Sequence, residues 1–277
     1  MARSARATGA KPSRTRRRRS PSITLRAGRG ALRALRASPL TLQLVALAIV
    51  CIAVWAATNW IYHAVHKPTE LLAPMSRTFS KAPAETWREY EAHFRKYATP
   101  VIAPELLAAL AQVESEGNPL AQTYWRWNLT WHPLEVYRPA SSAIGMYQIT
   151  DGTFAQARRE CQYESSDDDL KHALGSCWFD DLYGRIAPSR AVQFTAAQLD
   201  RGVATALRHQ RIAAVTLQHK QDLAAVIHLC GAGTGEIYAR RGFRLTPGQR
   251  CGDHDVRAYL ARVNGMKNLF ARLARDS

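Results

Sequence analysis

The sequence predicts a mostly α protein: a helical soluble domain, preceded by a single membrane-length helix and a disordered basic tail. Three observations carry this. No Lys, Arg, Asp or Glu falls between Arg36 and Lys67. Beyond that run, apolar residues recur at helical spacings, and no sustained two-residue alternation marks a sheet. The charge sits at one end. Residues 1–38 hold 12 of the 38 Lys and Arg and no acidic residue, so they supply +12 of the formal +16. A nucleic-acid role inferred from net charge would rest on this tail alone. Basic tails beside apolar spans set topology, so no nucleic-acid partner is expected.

The elements follow in order. Residues 1–38 are rich in Arg, Ser, Ala, Gly and Pro and have little apolar surface to bury, which predicts disorder. Residues 39–65, with Leu40 to Tyr62 as their centre, are long enough to cross a hydrocarbon layer of about 30 Å as a helix. Trp55, Trp60 and Tyr62 cluster at its end, as an interfacial belt does. A cleaved signal peptide fits less well, because the basic region is extended and no A-x-A site follows. The positive-inside rule then puts the tail in the cytoplasm and the chain after about residue 66 outside. Residues 66–84 contain Pro68, Pro74 and Pro83 and read as a linker. Residues 85–277 form the domain.

Within it, Trp87, Tyr90, Phe94 and Tyr97 share a helix face and predict core packing. Pro104 opens the next helix. Leu107, Leu110 and Glu114 fall on one face of it, so a carboxyl sits on an apolar stripe. Gly117 suits a left-handed helix end, and Pro119 prevents continuation. Tyr124 to Pro139 brings Trp125, Trp127, Trp131 and Tyr137 together too irregularly for a helix. It reads as a packed loop or as a stacking wall for sugar rings. Thr150 or Asp151 caps a helix running towards Cys161. Further helical patterns cover residues 195–217, 221–229 and 253–273, the last with Val256, Leu260, Val263, Leu269, Phe270 and Leu273 inward.

Four of the five cysteines, Cys161, Cys177, Cys230 and Cys251, lie in the second half. They allow three pairings, and neighbour pairing, Cys161–Cys177 and Cys230–Cys251, is favoured because it closes short loops. No CxxC or CxxH spacing supports a metal site, and none is expected. Paired cysteines imply an oxidising compartment.

Chemistry is expected at Glu114. Desolvation favours the protonated form of a carboxyl, which suits it to general-acid work on a poor leaving group such as a glycosidic oxygen. Ser115, Ser142, Gly145, Met146, Tyr147 and Gln148 are the candidate substrate-binding residues. Gly145 would allow close backbone approach, with Gln148 and the serines bonding polar groups of the substrate. Two other patterns compete. Gly231-Ala232-Gly233-Thr234-Gly235 mimics a dinucleotide fingerprint, but its third glycine is one residue early. His228 with Cys230 mimics a nucleophile pair, but two-residue spacing does not bring them together on a helix.

Glu114-Ser115, Asn118-Pro119, Ser142, Gly145, Gln148-Ile149 and Thr153-Phe154 together resemble the signature of the lytic transglycosylases of the soluble-lytic-transglycosylase (SLT) type, a goose-lysozyme-like family. The resemblance covers roughly residues 100–235. It implies a lysozyme-like helical domain that needs no cofactor and cleaves the MurNAc–GlcNAc β-1,4 bond of peptidoglycan glycan strands. One glutamate, matched to Glu114, would act first as acid and then as base to leave a 1,6-anhydro end. The chain departs from the family at two places. Tyr124 to Pro139 is an added aromatic insert. The family's A-Y-N-A-G motif is met by Leu229-Cys230-Gly231-Ala232-Gly233, which lacks the tyrosine and the asparagine. Tyr147 and Tyr238 are the candidates to replace that hydroxyl. The expectation is a single-pass protein of a bacterial inner membrane with a periplasmic domain, serving wall turnover or local opening for a secretion or conjugation assembly. The rivals are a hydrolytic lysozyme, with Asp253, Asp255 or Glu135 as second carboxylate, and a non-catalytic peptidoglycan-binding scaffold.

Overall fold

A computed structural model of the chain describes residues 38–72, 76–156, 184–212 and 214–276. The chain divides into two units, residues 1–57 and 58–277. In the first, the described residues form most of helix α1 (Leu40–His66), whose apolar side chains are exposed along its length. Its bounds agree with the expected 39–65 to within one residue at each end. Residues 1–37 of the basic tail and the Cys161–Cys177 pair lie outside the described residues.

The second unit is built of helices, as expected. They are α2 (Pro83–Tyr97), α3 (Pro104–Ser115), α4 (Pro188–His209), α5 (Leu217–Cys230), α6 (Ala232–Arg240) and α7 (Val256–Asp276). Proline opens α2, α3 and α4. Its fixed φ suits the first turn, where its missing N–H loses no bond. The predicted 195–217 helix is displaced: α4 starts at Pro188, and Arg211 in the left-handed region ends it. Thr216 then caps α5 by accepting from His219 N at 3.2 Å.

Helix α3 is the axis of the unit. Leu106 to Gln112 are all buried, so this helix is enclosed on every side rather than on one stripe. Helix α7 packs along it, with α2 and α4 also against it. The aromatic stripe of α2 is core: Trp87, Tyr90 and Phe94 are buried, and Trp87 meets Phe270 of α7 at 5.8 Å. Gln112, the buried polar residue of α3, is fully engaged. It accepts from Thr86 Oγ1 at 2.7 Å and donates to Lys81 O at 3.0 Å. The end of α3 differs from expectation, because Glu116 as well as Gly117 lies in the left-handed region. Gly117 is required for space too, since a Cβ there would lie 2.3 Å from Thr86 Oγ1.

The aromatic insert is not an irregular loop. Strands β1 (Trp125–Trp127) and β2 (Tyr137–Pro139) pair antiparallel into a hairpin. The expected linker is also structured. Pro68–Leu72 and Arg77–Phe79 form 3-10 turns. Thr69 and Glu70 are buried, Gln122 donates to Thr69 O, and Asn118 Nδ2 donates to Ser76 O at 2.6 Å. Proline-rich composition signalled a tether, but the buried Glu70 shows that it is packed.

Near the chain end, β3 (Arg250–Cys251) and β4 (His254–Asp255) form a second small hairpin leading into α7. Cys230 and Cys251 are disulfide-bonded across a separation of 21 residues. Closing a loop of this size stabilises a fold by about 3 kcal/mol, mainly through the unfolded chain. The double substitution Cys230→Ala/Cys251→Ala should therefore lower stability by about 3 kcal/mol. The denaturation midpoint of the detergent-solubilised chain measures it.

Candidate active site

Glu114 stands one residue before the end of α3, where the helix emerges from the core. Its side chain is 17% exposed, between the sheltered helix behind it and solvent in front. Tyr259, one turn into α7, donates its hydroxyl to Glu114 Oε1 at 2.5 Å. His228 of α5 places Nε2 3.6 Å from the same oxygen. Among the described residues, Oε2 has no hydrogen-bond partner. One carboxylate oxygen is thus held and the other is left to react.

Tyr259 is almost fully buried. Burial first, then the charge and hydrogen bond of Glu114, push its pKa well above the ordinary value. It therefore stays a donor to the carboxyl across the neutral range. Tyr147 is also buried, which raises its pKa, and its hydroxyl has no partner among the described residues. Its ring meets His228 edge-on at 6.4 Å. Neither Tyr147 nor Tyr238 supplies the hydroxyl expected at Glu114. Tyr259 does, from a helix far along the chain. Tyr259 falls on the inward stripe of Val256, Leu260 and Val263, and a hydroxyl there needs a buried partner. That was the available signal.

The Ser142-to-Gln148 segment turns out to build the site's floor. Ser115 Oγ donates to Met146 O at 2.9 Å, with Ala111 O at 3.1 Å, and accepts from Asn118 N. Ser142 Oγ accepts from Asp151 N at 3.1 Å. Met146 and Tyr147 are buried. Gln148, in the left-handed region, donates to Ala121 O and Gly145 O. Five of the six expected binding residues therefore fold or cover the turn behind Glu114. Gln148 also reaches a surface: it lines a cavity of about 300 Å³ together with His228, Gln198, Arg201, Thr205 and Glu236. Arg185 buttresses the turn from outside, reaching Ile149 O at 3.3 Å and Asp151 at 2.5 Å. Thr150 caps the following helical turn through Thr153 N.

The competing patterns fail on geometry. The segment before Gly231 is helix α5 rather than a strand, so no dinucleotide loop forms. Cys230 is tied to Cys251, while His228 faces Glu114. Asp255 accepts from Ala258 N at 2.8 Å at the start of α7. Glu135 meets Arg138 at 3.7 Å, and Asp253 accepts from Tyr124 OH at 3.5 Å.

Gly145 has φ +81°, and a Cβ there would lie 2.2 Å from Arg185 O. Gly145→Ala should cost about 1–3 kcal/mol, read from the urea midpoint. A second expectation concerns alkali. The folded pKa values of Tyr259 and Tyr147 lie above the ordinary 10.0. The stability they contribute is then fully present below about pH 10 and is lost as pH rises above it. Each contributes a slope of about 1.4 kcal/mol per pH unit. Tyr259→Phe should flatten the fall in stability between pH 10 and 11, measured by urea unfolding.

Residues 91–211 match the family model of the transglycosylase SLT domain, a span that contains Glu114 and the Ser142-to-Gln148 turn. No curated protein matches the chain. His228 and Tyr259, the two side chains against Glu114, both lie beyond the matched residues. This part of the chain is thus a transglycosylase SLT domain, the domain of the lytic transglycosylases, which are peptidoglycan-cleaving lyases.

Proposed function

We propose that the chain is a membrane-anchored lytic transglycosylase in which Glu114 is the one acid and base. The observation that carries this is the unequal treatment of its two oxygens, Oε1 held by Tyr259 and Oε2 open. Protonated Glu114 gives its proton to the glycosidic oxygen as the bond from C1 of MurNAc breaks, and the GlcNAc side leaves. The resulting carboxylate takes the proton of the C6 hydroxyl, and O6 closes on C1. Glu114 ends protonated, a 1,6-anhydro ring is formed, and no water is consumed. This departs from schemes that need two carboxylates. Tyr259 steadies the charge on Glu114 between the two proton transfers, and His228 flanks it.

The structural employment of Asp255, Glu135 and Asp253 favours this reading over hydrolysis. The presence of a tyrosine hydroxyl at Glu114 disfavours a scaffold that has lost activity. Residues 1–38 are assigned to the cytoplasm, residues 39–65 to a bacterial inner membrane, and residues 66–277 to the periplasm. The apolar length of α1, the basic tail and the Cys230–Cys251 bond support that placement. The role would be wall turnover or local opening of glycan strands for a secretion or conjugation assembly.

Incubated with sacculi, the purified chain should release 1,6-anhydro muropeptides, and Glu114→Gln should release none. Tyr259→Phe should slow release about 10–100-fold, the value of a hydrogen bond to a charged group. Reducing-end products from the unsubstituted chain would sink the reading in favour of a hydrolase.

A further inference from the structure

The hairpin β1–β2 presents large apolar side chains that the core does not use. Trp127 is 70% exposed, and Leu129 and Trp131 are fully exposed. Arg126 and His132, which flank them, are exposed as well. None of these lines the cavity beside His228. The tip is nevertheless a formed structure. Asn128 N donates to Val136 O at 2.7 Å, and Glu135 N donates to His132 O at 2.9 Å. A preformed loop therefore holds three bulky apolar groups in water, an arrangement that soluble surfaces avoid.

The hairpin's position identifies what covers them. Leu134 O accepts from Asn59 Nδ2 at 2.8 Å and lies 2.9 Å from His63 Nε2. Trp125 meets the His63 ring edge-on at 5.2 Å. The hairpin is thus fastened to the last two turns of α1. Leu40 to Asn59 is about 20 residues, the helix length that crosses a hydrocarbon layer of about 30 Å. Asn59 then falls where the apolar layer ends, beside Trp60. On the anchoring proposed above, the loop fastened to Asn59 would lie at the level of the headgroups.

We infer that the Trp127–Trp131 tip is a second membrane contact, dipping into the outer headgroup region beside α1. The inference rests on the anchoring proposed above. Tryptophan and leucine suit the boundary between headgroups and acyl chains, and Arg126 suits anionic headgroups.

The test uses the full chain labelled with 5-fluorotryptophan in nanodiscs of phosphatidylethanolamine and phosphatidylglycerol. Trp127→Phe and Trp131→Phe assign the tip resonances, and equivalent substitutions assign Trp55, Trp60 and Trp87. Fluorine relaxation is measured with nitroxide-bearing lipid and, separately, with an aqueous gadolinium chelate. The expected result is that lipid nitroxide relaxes Trp127 and Trp131 several-fold more than the core residue Trp87. If Trp55 and Trp60 respond to lipid while the tip responds to gadolinium alone, the tip contact is wrong and the anchor stands. If Trp55 and Trp60 do not respond to lipid, the anchor fails and the tip contact fails with it. A tip that ignores lipid but shifts with soluble muropeptides would be a glycan-binding surface, which also overturns the inference.

Discussion

The hydrogen bond from Tyr259 to Glu114 is the constraint on which the second unit depends. It joins residues 145 apart in sequence, so it exists only when α7 lies along α3. Several features serve that placement. The Cys230–Cys251 bond ties the end of α5 to the small hairpin before α7. Asp255 then caps the start of α7. His228 lies two residues before one cysteine, and Tyr259 eight residues after the other. One covalent link therefore fixes both groups that flank the carboxyl. Where the family pattern has a tyrosine and an asparagine, this chain has Cys230 and Gly231. The hydroxyl is supplied instead from a neighbouring helix, which the disulfide holds in register.

The other wall of the site obeys a different constraint, the supply of partners for buried polar groups. A turn this tight leaves backbone carbonyls that helix or sheet ladders cannot satisfy. Ser115 satisfies Met146 O, while Gln148 and Arg185 add second bonds to Ala121 O, Gly145 O and Ile149 O, which already accept backbone N–H groups. The polar residues of the motif are thus spent inward, and the motif marks a shape more than a binding surface. The cavity beside His228 opens against that shape, with Gln148 in its lining.

Much of this was legible in the sequence. Proline at three helix starts, the aromatic face of α2 and the carboxyl on the apolar face of α3 are local signals, because they depend on spacing within one helix. For Tyr259 the sequence shows a hydroxyl on an inward stripe but not its partner, because Glu114 lies on another helix. The hairpin escaped notice because three-residue strands are too short to show alternation. The inward bonds of Ser115 and Ser142 are not legible either, because a serine that meets a ligand and one that bonds the backbone look alike in sequence. Residues 66–84 looked like a tether because composition reports flexibility, whereas the burial of Glu70 beside Trp125 depends on the hairpin.

That last difference changes how residues 66–84 are held to the segment that carries Glu114. A free chain of 19 residues would have a root-mean-square reach of about 24 Å and would let the domain roam. Here the same stretch is fastened at Thr69, Glu70, Ser76 and Lys81 to residues between Gln112 and Trp125, on the segment that carries Glu114. Lys67 further bonds Ser141 O at 3.3 Å, at the start of the catalytic turn. The slack between helix and site is removed by contacts at both ends of the aromatic insert. An insert that spends Trp125 on the tether and Leu134 on α1 is accounted for without a role in gripping sugar.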